Sequence, residues 1–151
     1  MQPTKTSTER QIITDFNTYH ESFTANPDNL PYRESLEALT PEQRGVVAVL
    51  NLHGQVLNGG FSQWFSNGYH QDDMRFLLAV VEGLPGEEMM PVVRHLIHQA
   101  DRVIVSNDDY DPAGRSISDE GYELLNELDS AYYAVSDQFE VFFALHLTPA
   151  K

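Results

Sequence analysis

The sequence predicts an all-α fold, a single compact domain of six to eight helices around a central apolar helix. Three observations carry this reading. Apolar residues recur at spacings of three and four through most of the chain, the pattern of one helix face. Ser or Thr followed three residues later by Gln, a helix-start signal, stands ahead of two of these stretches. From Val46 to Gln71 there is no Asp, Glu, Lys or Arg, in a chain that is 21% charged. A soluble protein leaves such a segment uncharged because it lies inside.

The elements follow in order. Thr8 and Gln11 have capping-box spacing, and Ile12, Ile13, Phe16, Tyr19, His20 and Phe23 give a helix over 9–24 one apolar face. Asn26-Pro27-Asp28-Asn29 breaks it. A short helix over 31–38 turns Tyr32, Leu36 and Leu39 inward. Thr40, Pro41 and Gln43 then supply N-cap, N1 and N3 of the central helix, which runs from Pro41 to Leu57 and is apolar nearly all round. Asp72 to Gly83 is another mostly buried helix, with Asp72 and Asp73 at its positive end. Glu87 to Val105 is a further one, with Pro91 in its first turn and Val92, Val93, Leu96, Ile97, Ala100, Val103 and Ile104 inward. Residues 106–118 are a long loop rich in Asp, Asn, Pro and Gly. Asp119 to Leu128 is helical with Leu124, Leu125 and Leu128 inward, and 130–147 closes the domain with a break expected near Asp137.

Between the central helix and the next lies Asn58-Gly-Gly-Phe-Ser-Gln-Trp-Phe-Ser-Asn67. Gly59 and Gly60 can take backbone angles closed to other residues, so a turn is expected there. Phe61, Trp64 and Phe65 then fall at i, i+3 and i+4, which puts three rings on one helix face. Asn67-Gly68 ends that helix in a left-handed turn. The amides of Asn58, Gln63 and Asn67 suit hydrogen bonds to turn backbone. This stretch resembles the Asn-Gly-Gly-Phe-x-Gln-aromatic-Phe-x-Asn signature of a bacterial family of small acidic helical proteins. That domain, formerly of unknown function, is typified by a double-stranded-DNA mimic. Leu128-Asp-Ser-Ala-Tyr-Tyr133 is similar to the family's C-terminal Leu-Asp-x-x-Phe/Tyr-Tyr segment, and the resemblance spans residues 40–147.

Composition narrows the possibilities. A chain of 151 residues suits one domain, taken as 7–148 behind a disordered tail over 1–6. Hydrophobic residues at 41% are too many for a disordered chain, and no apolar run approaches the roughly 18 residues of a membrane span. With no cysteine, disulfides and thiolate zinc sites are excluded, and with no signal-like leader a cytoplasmic location is expected. The net charge is −14, and residues 101–140 alone hold 11 acids against Arg102 and Arg115. Such a surface repels nucleic acid and anionic membrane and attracts basic partners.

Few constellations suggest chemistry. Asp109, Asp111, Gly114 and Glu120 have the spacing of part of a calcium-binding EF-hand loop, but Ala113 occupies a ligand position and Pro112 intrudes. His95, His98 and Asp101 lie at successive helix turns, a spacing open to a metal, yet nothing marks a further ligand. His53, inside the uncharged segment, reads as a buried neutral imidazole bonded to a backbone carbonyl. Ser62 and Ser66 lack a base and a nucleophile elbow. No catalytic residue, metal or cofactor is therefore expected.

The carboxylates remain. Glu120, Glu123 and Glu127 fall within a narrow arc, with neighbours roughly 5–6 Å apart. Duplex DNA carries a charge about every 3.4 Å of rise per strand. A second row from Asp101, Asp108, Asp109, Asp111 and Asp119 completes the expected partner-binding face. The family resemblance implies a non-enzymatic protein that mimics double-stranded DNA and occupies the DNA-binding surface of a basic protein such as a transcription factor. Expected partners are that protein or another basic one, and a second copy in a homodimer, with no direct nucleic acid and no membrane. Two alternatives share the residues: an immunity-type inhibitor of a basic toxin, and a metal-dependent module or enzyme using the 106–118 loop with His95 and His98.

Overall fold

A computed structural model describes residues 5–69, 71–86, 88–106 and 117–149. Among these, 84% are helical and none forms a strand. The order is α1 (Ser7–Thr24), α2 (Tyr32–Glu37), α3 (Pro41–Gln63), a π turn (Trp64–Gly68), a 3-10 turn (Gln71–Asp73), α4 (Met74–Gly83), α5 (Met89–Ser106) and α6 (Asp119–Leu147). The expected all-α fold is what forms. No helix among the described residues is long and apolar enough to cross a membrane.

α3 is the central element. Thr40 accepts from the Gln43 N–H at 3.2 Å while the Gln43 side chain accepts from the Thr40 N–H at 3.1 Å, the reciprocal cap anticipated from sequence. Val49, Leu52 and Val56 are fully buried against α4 and α6. Gly45 sets the α3–α4 approach, since a Cβ there would run into the Val80 side chain and lie 3.0 Å from the Phe76 carbonyl. α6 packs against α1, α3 and α5, so the last helix closes the bundle. α1 buries Phe16, whose ring lies 5.4 Å from Phe143 of α6.

Several expectations are corrected. α1 starts earlier, capped by Thr6 with Glu9 at N3, because Glu9 can reach back to the Thr6 N–H at 2.8 Å. Tyr32, Val92 and Leu124 are exposed rather than inward, since their helices bury a narrower stripe than apolarity alone suggests. Leu57, at 45% exposure, shows that even α3 keeps one wet side. α6 runs unbroken for 29 residues through Asp137, which with Glu140 pairs with Lys5 at 3.6 and 3.1 Å on the outside of the helix. The helix after the glycine pair ends in a π turn, its Tyr69 N–H donating to the Trp64 carbonyl at 2.6 Å, instead of a left-handed residue.

Candidate functional site

The glycine pair breaks α3 without reversing it. Gly59 has φ −157° and ψ 21°, and Gly60 has φ +79° and ψ −178°. The Gly60 conformation is essentially closed to residues with a Cβ. Helix restarts at Phe61, so N–H groups there lose their place in the helical ladder. One is met from across the fold: the Phe61 N–H donates to Asp129 Oδ1 of α6 at 2.8 Å. A Cβ at Gly60 would overlap the Asp129 carboxylate, so the glycine makes room for this cap. Burial pushes the Asp129 carboxyl above the usual range, and the Phe61 N–H partly offsets that.

Neighbours of Asp129 complete a clasp. The fully buried Tyr132 packs edge-on to Phe61, centroids 5.6 Å apart, and its hydroxyl lies 2.7 Å from His53 Nδ1. Tyr133 donates to the Val56 carbonyl at 3.0 Å. Desolvation raises the Tyr132 hydroxyl well above its ordinary value and lowers His53. His53 Nε2 is buried without a partner among the described residues. The carbonyl expected to satisfy His53 is thus replaced by a tyrosine hydroxyl. Phe61, Trp64 and Phe65 are buried as expected. Asn58 and Asn67 stand exposed, and Gln63 donates to Gln55 at 2.9 Å, so turn-backbone bonding does not describe Gln63. The clasp is a structural brace.

The first turns of α6 are different. Ser118 caps the helix, accepting from the Gly121 N–H at 3.1 Å, and Asp119 and Glu120 occupy its positive end. Asp119, Glu120, Glu123 and Glu127 are all exposed, within roughly a 100° arc of the helix. None pairs with a cation among the described residues. α6 itself contains no Lys or Arg. Asp101 is set apart from this row by its partner, since it accepts from the Tyr69 hydroxyl at 2.9 Å and so serves the core motif. Asp108, Asp109 and Asp111, with most of the 106–118 loop, lie outside the described residues.

A family model described as DMP19-like protein matches residues 37–148. The chain belongs to the DMP19-like protein family. Curated proteins and solved structures give no match. The matched span of this DMP19-like chain takes in both halves of the clasp and the acidic turns of α6, and leaves out α1.

The remaining candidates of the DMP19-like chain do not converge. His98 pairs with Glu82 at 3.2 Å, and Asp101 with Tyr69. No three His, Asp or Glu side chains among the described residues are grouped to hold a metal. Sequence reading missed Asp129 and Tyr132 as partners of Phe61 and His53. Their only signal was Leu128–Tyr133, whose similarity to the family segment carried no geometry.

Proposed function

We propose that this protein is a non-enzymatic DNA mimic that occupies the DNA-binding surface of a basic protein, through the first three turns of α6. The observation that carries the proposal is the row Asp119, Glu120, Glu123 and Glu127, exposed, without a described cation, on a helix lacking Lys and Arg. Five other acids are engaged in the fold: Asp73 by two arginines, Asp137 and Glu140 by Lys5, Asp101 by Tyr69 and Asp129 by Phe61. From Asp119 to Glu127 the helix advances about 12 Å, comparable to three or four phosphate steps of one DNA strand. A basic DNA-binding surface meets carboxylates there at a spacing it can accept. Membership of the DMP19-like family supports the reading, and the Asp101 to Asp111 row is not needed for it.

The test is competition. The immobilised protein should capture a basic DNA-binding protein from lysate. The captured partner, purified, should release its duplex DNA when this chain is added, with an affinity that falls steeply as salt rises. A partner that binds DNA and this chain together overturns mimicry. Capture of a basic toxin that does not bind DNA would favour the immunity-type reading.

A further inference from the structure

A cavity of about 330 Å³ lies beside the signature stretch, between α2, α3 and the π turn. Its size falls within the roughly 300–1,000 Å³ of small-molecule sites. Its walls combine the apolar Leu36, Val47, Trp64 and Leu77 with the polar Arg44, Asn51 and Asp73. The Arg44 side chain is only 15% exposed. It donates one hydrogen bond, from Nη2 to Asp73 Oδ1 at 3.1 Å, and makes no other among the described residues. The Phe76 ring supports it, 4.2 Å from the guanidinium carbon.

We infer that this cavity binds a small organic acid, its carboxylate on the Arg44 guanidinium and its apolar body against Leu36, Val47 and Trp64. A guanidinium carries five N–H donors and grips a carboxylate through two of them in parallel, so a side chain spending one retains a fork for a second anion. Exposed charges farther than about 8 Å are largely screened, so the net charge of −14 weighs on the site mainly through near neighbours. The charged residues that line the cavity are Arg33 and Arg44 against Asp73. The π turn supplies Trp64 and Asn67 to the wall, and π turns often occur at functional sites. The site is separate from the acidic turns of α6, so it stands or falls independently of DNA mimicry.

Trp64 is the chain's only tryptophan and lines the cavity, so its emission reports occupancy directly. The probes are octanoate and 3-phenylpropionate, with octanol and octylamine as neutral and cationic counterparts. At least one acid should change Trp64 emission saturably and raise the melting temperature, while octanol and octylamine bind at least about tenfold more weakly, the least a lost charge-assisted hydrogen bond costs. Arg44→Gln should weaken the acid by a similar factor. Because that substitution also removes a bond to Asp73, Ala48→Leu is the second variant: it fills the cavity from α3 and leaves the arginines in place. It should abolish binding while preserving the helical spectrum. No response to either acid, equal binding of octanol, or undiminished binding by Ala48→Leu would each overturn the inference.

Discussion

In the first three turns of α6, Asp119, Glu120, Glu123 and Glu127 stand in solvent without a described cation. Two residues further along the same helix, Asp129 is half-buried and caps the helix that restarts at Phe61, and Tyr132 is fully buried on His53. The chemical group is the same in Glu127 and Asp129. What differs is what lies opposite. Glu127 faces water, so its charge is available to a partner, whereas Asp129 faces a broken backbone, so its charge is used within the fold. One helix thus holds an exposed acidic row and a clasp built into the fold.

The largest effect should come from the clasp. Gly60→Val forces a β-branched residue into φ +79° and drives its Cβ into Asp129. Backbone strain and the lost cap together should cost about 4 kcal/mol in urea unfolding. An unchanged midpoint would show that the break at Gly60 is not what the clasp depends on.

Next comes the surface. Reversing Glu120, Glu123 and Glu127 to Lys should weaken capture of the basic partner by about 3 kcal/mol, mainly through lost steering and a slower on-rate. Stability should shift by less than about 0.5 kcal/mol, the ordinary range for exposed positions. The control reverses Glu21, Asp28 and Glu34, which are exposed and play no part in the Thr6–Glu9 cap. Equal weakening by both triples would mean that net charge alone acts and that the two halves of α6 do not differ in function.

Tyr132→Phe sharpens the clasp side. It leaves His53 with neither ring nitrogen partnered and should cost about 2 kcal/mol by thermal or urea unfolding. A loss near zero would mean that packing, not the hydroxyl, holds that end.

The smallest effect is one of slope. Burial holds the folded Asp129 carboxyl above its ordinary 3.8, so protonation favours the fold. The stability it contributes is complete below about pH 3.8 and is lost as pH rises through the folded value. Asp129→Asn keeps an oxygen for the Phe61 N–H and cannot ionise. Relative to wild type it should therefore gain stability between about pH 4 and pH 7, measured as the difference in urea midpoints. A gap that is flat, or that widens against Asn as pH rises, would place the carboxylate's hydrogen bond above its desolvation.

By itself the sequence determined the helical class, the cap of α3 at Thr40 and Gln43, the burial of Phe61, Trp64 and Phe65, and the exposure of Glu120, Glu123 and Glu127. These depend on periodicity and on partners within four residues, which the order of residues states directly. It also marked Gly60 as exceptional, though as a turn rather than a break within one helix. The tertiary structure alone decided the rest. Phe61 meets Asp129 across 68 positions and His53 meets Tyr132 across 79, and no local pattern announces such pairs. The inward expectation for Leu124 failed for the same reason, as did the break expected near Asp137: which stripe of a helix is covered, and whether a charge mid-helix finds a cation such as Lys5, depends on what packs alongside. The cavity at Arg44 was equally invisible. It exists because α2, α3 and the π turn meet around it, and a space between elements has no residue of its own in the sequence.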